Sequence, residues 1–212
     1  MKKYFLEAIG TYFLTLAFIL GVTSGTGIWV YGALLAGFIF IGFSITGAHY
    51  NPALTVGLLM QSKVQREWLP YYIVLQLAGA VLAGFTGYFL VRCSGVVEII
   101  GLDKPDPLCT LPAEFLGSFA FALVYFKMHR TAAGQEIAAG GLFAGAALIV
   151  LAYMLQPNAA GIFNPAVVFG LCISGLVDWS DLWLYILAPL VGSAAAASVW
   201  IWLSEDEFSN SI

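Results

Sequence analysis

Two short stretches of this sequence decide its fold: Asn51-Pro52-Ala53 and Asn164-Pro165-Ala166. Each stretch closes a long apolar segment and opens a short one. Asn is a favoured helix N-cap, and Pro is favoured at the first helical position because the N–H that it lacks has no helical partner there. The two tripeptides therefore predict two short helices that begin at Pro52 and Pro165.

The segments around these tripeptides match each other, so the chain contains an internal repeat. At an offset of 113 positions, residues 72–80 align with residues 185–193 and keep one Tyr and one Gly in register. At an offset of 107, Glu7 aligns with Glu114, and each Glu opens the pattern Glu-x-x-Gly-(Thr/Ser). We predict one transmembrane domain over 1–212, with repeats at 1–106 and 107–212. Repeats with interrupted apolar segments at matching places indicate a transport site at the repeat interface.

The composition predicts an all-α membrane protein. Hydrophobic residues make up 61% of the chain, charged residues make up 9%, and the mean hydropathy is +0.92. Six apolar runs approach the roughly 20 residues that a membrane-spanning helix needs; they are 4–22, 28–45, 68–91, 111–126, 137–155 and 182–203. Two further runs, 51–60 and 164–175, are half that length and cannot cross. Such re-entrant half-helices are tolerated only where protein or a water-filled cavity covers their backbone, so they imply a lumen.

Three spans in each half give the two repeats opposite orientations. If both termini are cytoplasmic, most of the basic residues lie inside, which is the usual bias; these are Lys2, Lys3, Lys63, Arg66, Lys127 and Arg130, against Arg92 and Lys104 outside. The acidic tail Glu205-Asp206-Glu207 is interpreted as solvated cytoplasmic surface. We therefore expect an integral membrane protein of a plasma or bacterial inner membrane. The lipid bilayer is an expected partner, and nucleic acid is not.

The chemically reactive residues do not form a catalytic or metal-binding pattern. Cys93 and Cys109 lie in the longest polar connection, where either a disulfide or two free thiols is compatible with the spacing, and Cys172 lies on the second half-helix. His129 is interpreted as a solvated loop residue. No nucleophile has a neighbouring base, so we expect no enzyme activity, no catalytic residues, no metal and no cofactor.

The stretches 47–53 and 161–166 resemble the paired signature loops of the aquaporin and glycerol-facilitator family, the major intrinsic proteins. The resemblance includes both Glu residues, the Gln76-Leu77-x-Gly79 stretch and the Pro189-x-x-Gly192 stretch. It implies that two half-helices meet at mid-membrane, that four chains form a homotetramer, and that water and small neutral solutes pass. It also implies that Glu7 and Glu114 accept hydrogen bonds from the loop backbones and that His49 packs and bonds within its loop.

The resemblance implies that solutes pass the point where the two half-helices begin, next to the side chains of Asn51 and Asn164. Half-helix dipoles that point their positive ends at mid-membrane repel cations. The amides of Asn51 and Asn164 are expected to turn their N–H donors into the lumen, where they bind a passing water oxygen.

One position departs from the family pattern, which has Arg directly after the second Asn-Pro-Ala. This chain has Val167 there. Counting back from each Asn places Tyr31, Ala152 and Gly161 at the other three positions of the family's selectivity filter. Such a ring is apolar, with one hydroxyl and no fixed charge. We therefore expect reduced selectivity for water and easier passage of ammonia, glycerol-like polyols or other small neutral molecules.

Two alternatives remain open at this point. A coupled secondary transporter also has inverted repeats and broken helices, but its breaks usually carry charged groups. A structural junction protein that has lost conduction is compatible with the missing Arg, whereas the two intact Asn-Pro-Ala stretches argue against it.

Overall fold

A computed structural model describes residues 2–94, 102, 104–131, 135–156 and 160–209. Within this described part, the chain forms eight α-helices. They are α1 (Phe5–Ser24), α2 (Gly27–Thr46), α3 (Pro52–Met60), α4 (Leu69–Cys93), α5 (Pro107–Thr131), α6 (Gln135–Leu155), α7 (Pro165–Ser174) and α8 (Leu182–Ser209).

Six of these helices are long and apolar enough to cross a membrane, which confirms the predicted fold class. The two half-helices α3 and α7 begin at Pro52 and Pro165 and contain 9 and 10 residues. At about 1.5 Å per residue, each covers roughly half of a bilayer core. The largest boundary difference is in α5, which spans Pro107–Thr131 instead of 111–126. Pro112 lies inside this helix, one turn after its start at Pro107.

The two halves pack in the same way. Helix α1 packs along α4, and α5 packs along α8. A Cβ at Gly79 would overlap the carbonyl oxygen of Ala8, and a Cβ at Gly192 would contact the carbonyl oxygen of Phe115. These equivalent positions bring helix backbones into direct contact, which is how membrane helices associate tightly. The repeat boundary at 106 and 107 stays a prediction.

Each half-helix packs mainly against the helices of the other half. Helix α3 lies against α8, and α7 lies against α4 and α1. The matching residues Gly57 and Gly170 mark these contacts, since a Cβ at Gly57 would meet Ser193 Oγ at 2.6 Å and one at Gly170 would meet the Ala80 carbonyl oxygen at 2.6 Å. The two half-helices are therefore enclosed by protein, which agrees with the expectation that re-entrant helices are covered by protein or by a water-filled cavity.

The outer surface of the bundle carries large apolar side chains. They include Phe40, Phe85, Leu116, Leu142, Phe143, Val150 and Trp202, each more than half exposed. A soluble protein of this size does not expose a surface of this kind, and lipid covers it in a membrane.

Two smaller expectations also have an outcome. Cys93, Cys109 and Cys172 are all free thiols. The interpretation of His129 as a solvated loop residue is wrong, because it lies in α5 with its ring 4.6 Å from that of Phe43 and 5.7 Å from that of His49. The side chains of Arg130 and of residues 205–207 lie outside the described part.

Candidate functional site

The two Asn-Pro-Ala stretches form matching helix caps. Asn51 has an extended backbone (φ −154°, ψ 118°), and its Oδ1 accepts a hydrogen bond from the Ala53 N–H at 2.8 Å. Asn164 has nearly the same backbone (φ −147°, ψ 106°), and its Oδ1 accepts from the Ala166 N–H at 3.1 Å. Each Asn therefore satisfies one free N–H at the start of a half-helix, and Pro at the next position removes another.

The amide nitrogens of the same two residues cross between the halves. Asn51 Nδ2 donates to the carbonyl oxygen of Phe163 at 2.8 Å, and Asn164 Nδ2 donates to the carbonyl oxygen of Tyr50 at 2.9 Å. The expectation that these donors turn into the lumen is therefore only partly compatible with the structure. An amide nitrogen carries two hydrogens, and one of them on each Asn is bonded to the opposite loop.

Two buried carboxylates hold the backbones of the loops before these caps. Glu7 accepts four hydrogen bonds, from the N–H groups of His49 and Tyr50 and from the side chains of Thr46 and Gln76. Glu114 accepts from the N–H groups of Ile162 and Phe163 at 3.2 and 3.0 Å. A buried carboxylate needs such partners, and the loop N–H groups need such acceptors.

The loops adopt backbone conformations that depend on this support. Tyr50 and Phe163 both have φ of +50°, a value that is unfavourable for residues with a side chain. Their rings lie directly over Gly10 and Gly117, where no Cβ would fit. The two glycines occupy equivalent positions in the repeat, so each loop is locked against the first helix of its own half.

The first loop has a richer polar environment than the second. His49 Nδ1 lies 3.2 Å from Thr55 Oγ1, and its ring stacks on Tyr72 at 4.4 Å. Gln76 Nε2 also reaches Thr55, at 3.1 Å. At the offset of 113, Thr55 and Gln76 correspond to Val168 and Pro189, which have no polar side chain.

Sequence reasoning missed several loop-supporting residues, namely Thr46, Thr55, Tyr72 and Tyr125. The Tyr125 hydroxyl lies 2.6 Å from the carbonyl oxygens of both Gly47 and Ala48. Tyr72 appeared only as a repeat match, and its hydroxyl donates to the Thr46 carbonyl oxygen. An isolated Tyr in an apolar run carries no sequence signal of such a bond.

The four residues counted as a filter lie around the second loop. The Tyr31 hydroxyl donates to the carbonyl oxygen of Ile162 at 3.3 Å, and its ring lies edge-on to Phe18 at 5.5 Å. Gly161 has φ of +67° and lies against Ala152, whose Cβ is 2.7 Å from where a Gly161 Cβ would stand. Val167 is fully buried in the first turn of α7.

A cavity of about 460 Å³ lies next to this group, at the end of the bundle that carries Lys104. Phe18 and Ala160 line it on the side of the second loop, and Trp29, Tyr153 and Tyr185 also line it. The volume of this cavity is large enough for several small molecules.

A family model described as "Major intrinsic protein" matches residues 2–200. The chain belongs to the major intrinsic protein family. Among curated members of the family, it is 29% identical to "Aquaporin Z" of Bradyrhizobium diazoefficiens, over 97% of this chain and 95% of that protein. It is 28% identical to "Aquaporin AqpM" of Methanothermobacter marburgensis, over 88% of this chain and 82% of that protein.

A solved structure agrees with this assignment to the major intrinsic proteins at the level of the fold. The chain resembles the X-ray structure of the aquaglyceroporin from Plasmodium falciparum with a TM-score of 0.75 and 19% identity, over 93% of this chain and 95% of that one. Members of this family are channels and not enzymes, so the chain is a membrane channel for water and small solutes.

Proposed function

We propose that solutes pass between Asn51 and Asn164 and then through a constriction formed by Tyr31, Ala152, Gly161 and Val167. The observation that carries the proposal is the crossed pair of amide bonds, Asn51 to Phe163 and Asn164 to Tyr50. These bonds hold the starts of two half-helices against each other at the centre of the bundle.

The mechanism is passive permeation in single file. Each half-helix directs the positive end of its dipole at the meeting point, which disfavours cations including hydrated protons. The second hydrogen of each Asn amide offers a donor to a solute oxygen, while the first keeps the amide oriented. The two Asn-Pro-Ala tripeptides carry no charged side chain. The nearby carboxylates of Glu7 and Glu114 are bonded to the loop backbones, so we do not assign them to ion coupling.

The constriction differs from the family pattern at Val167. An Arg there brings a permanent positive charge and five N–H donors, and Val brings neither. Water therefore loses more hydrogen bonding when it enters this ring than it loses in a ring with Arg. We infer that selectivity for water is reduced in favour of other small neutral solutes.

Three further features are part of the same proposal. Both termini face the cytoplasm of a plasma or bacterial inner membrane, so that the cavity beside Lys104 opens to the outside. His49 supports the first loop through Thr55 and Tyr72.

Four chains form a homotetramer, which native mass spectrometry of the detergent-solubilised protein tests directly; a monomer as the only species would contradict it.

Stopped-flow measurements on proteoliposomes test the pathway. We expect water permeability above that of empty vesicles, without dependence on an ion gradient. In Val167→Arg, the ratio of neutral-solute permeability to water permeability should fall. An unchanged or higher ratio would mean that Val167 does not face the path, and a requirement for an ion gradient would favour a coupled transporter.

A further inference from the structure

The chain contains two histidines, and the fold places their rings side by side. His49 lies in the loop before the first half-helix, His129 lies in the last turn of α5, and their ring centres are 5.7 Å apart. We propose that these two imidazoles bind a divalent transition-metal ion such as Zn²⁺ or Cu²⁺, and that the bound ion lowers permeation. The two residues are far apart in the chain, so no local spacing in the sequence predicted the site.

The separation of the two rings suits a shared metal ion. A bond from zinc to an imidazole nitrogen is about 2.0–2.1 Å long, so two imidazoles on one ion have ring centres roughly 5–6 Å apart. Both rings reach the space beside Gly47, where a Cβ would stand 2.7 Å from His49 Nε2 and 3.1 Å from His129 Cε1, the ring atom next to Nε2. The absence of a side chain at Gly47 therefore lets the two ring edges approach each other.

Each ring has a nitrogen that a metal ion could use. The Thr55 hydroxyl donates to the Asn51 carbonyl oxygen at 2.8 Å, so it accepts from His49 Nδ1, which lies 3.2 Å away. In that tautomer, Nε2 of His49 carries the lone pair. The Nε2 of His129 is buried and has no hydrogen-bond partner among the described residues. A buried nitrogen without a partner is unfavourable, and a metal ion would satisfy it.

Aromatic neighbours hold both rings in place. The ring of His49 stacks on that of Tyr72 at 4.4 Å, with 11° between the two planes. The ring of His129 lies 4.6 Å from that of Phe43 and 5.1 Å from that of Tyr125. Because the two imidazoles are already oriented, little side-chain freedom is lost when an ion binds.

The ligands select the kind of ion. Imidazole suits Zn²⁺, Cu²⁺ and Ni²⁺, whereas Mg²⁺ and Ca²⁺ prefer oxygen ligands. Within the described residues, no third His, Cys, Asp or Glu completes the set. Water therefore supplies the other ligands, and the ion binds more weakly than in a structural zinc site with four protein ligands. The ammonium of Lys63 acts on His129 and opposes a cation, but Lys63 is exposed and can turn towards the solvent.

A bound ion would affect permeation in two ways. It would join the loop that ends at Asn51 to α5, and it would place positive charge beside the route that leads to Asn51 from the end with Lys63. His129 is partly exposed at this end, so an ion can reach it. The effect on permeation rests on the proposed function, which places the path at Asn51, whereas the binding of the ion does not.

Metal binding is measured on the purified chain after removal of any polyhistidine tag. In isothermal titration calorimetry, we expect the wild type to bind one more Zn²⁺ per chain than His129→Phe, and we expect no binding of Mg²⁺. The difference between the two proteins excludes ions held by cysteine. Electron paramagnetic resonance of bound Cu²⁺ should show two imidazole nitrogens in the wild type, a result that needs no variant. Equal Zn²⁺ binding by both proteins, or a Cu²⁺ spectrum without two coordinated nitrogens, would overturn the inference.

Water permeability of proteoliposomes with Zn²⁺ on both faces tests the consequence. Zn²⁺ should lower the wild-type flux several-fold. His129→Phe keeps an aromatic ring beside Phe43 and Tyr125, so it should conduct like the wild type and should not respond to Zn²⁺. His129→Cys restores a metal ligand and should respond again.

Two outcomes separate this inference from the proposed function. A wild-type flux that stays constant while Zn²⁺ binds would overturn the effect on permeation. A flux equal to that of empty vesicles before any metal is added would overturn the proposed function, and the binding measurements would still decide whether the two histidines hold an ion.

Discussion

The side-chain Nδ2 of Asn51 donates a hydrogen bond to the backbone carbonyl oxygen of Phe163 at 2.8 Å, although the two residues belong to different halves of the chain. The reciprocal bond joins Asn164 to Tyr50 at 2.9 Å. Each half-helix cap is therefore fixed by the loop of the other repeat. Neither half can form the centre of the bundle by itself, and a change at one Asn affects both loops.

Replacing Asn164 with Asp should damage both conduction and ion exclusion. A carboxylate has no N–H to give to Tyr50, and it places a negative charge where the positive ends of two helix dipoles meet. We expect a lower flux of neutral solutes and a several-fold higher proton leak, measured in liposomes with an internal pH dye. Asn164→Ala is the control for charge, because it removes the bond to Tyr50, together with the cap to Ala166, and adds no charge. It should lower flux without raising the leak. If Asn164→Asp changes neither quantity, the path lies elsewhere.

Replacing Gly79 with Ala should destabilise the contact between α1 and α4. The new Cβ would overlap the Ala8 carbonyl oxygen, which is backbone and cannot move without shifting a helix. Overpacking of this kind costs about 1–3 kcal/mol, and thermal unfolding in detergent should show it as a lower Tm. Gly37→Ala is the matched control, since nothing lies within 4 Å of its Cβ position. An equal Tm for the two variants would contradict the close helix contact.

Replacing Glu114 with Gln should loosen the second loop. The side-chain amide offers one acceptor oxygen where the carboxylate offers two, so either Ile162 or Phe163 keeps an unpaired buried N–H. A lost partner of this kind costs about 1–3 kcal/mol. We expect reduced thermal stability together with reduced water flux. Glu67→Gln, at an exposed position between α3 and α4, should change neither property.

The inverted topology predicts which loops face which side. In a variant without Cys93, Cys109 and Cys172, single cysteines at positions 63 and 127 should react only with a reagent applied to the cytoplasmic face. Lys104 lines the cavity, which the proposed orientation places on the outside, so a cysteine at position 104 should react only from that side. Labelling of position 104 from the cytoplasmic face alone would reverse the proposed orientation.

The sequence determined the fold class and the two half-helices. Apolar runs of known length, Asn at the caps and Pro at the first helical position are local signals, because they depend on lipid solvation and on hydrogen bonds within one turn. The repeat then placed Glu7 and Glu114 at equivalent positions. The positions of α3 and α7 therefore followed from the chain without knowledge of any tertiary contact.

Only the tertiary structure decided how the site is assembled. The crossed bonds from Asn51 and Asn164 join residues more than a hundred positions apart, and no local pattern encodes their partners. The same holds for the bond from Tyr31 to Ile162. The sequence shows that Ala152, Gly161 and Val167 are apolar. How closely α6 approaches the second loop is set by packing across the whole bundle.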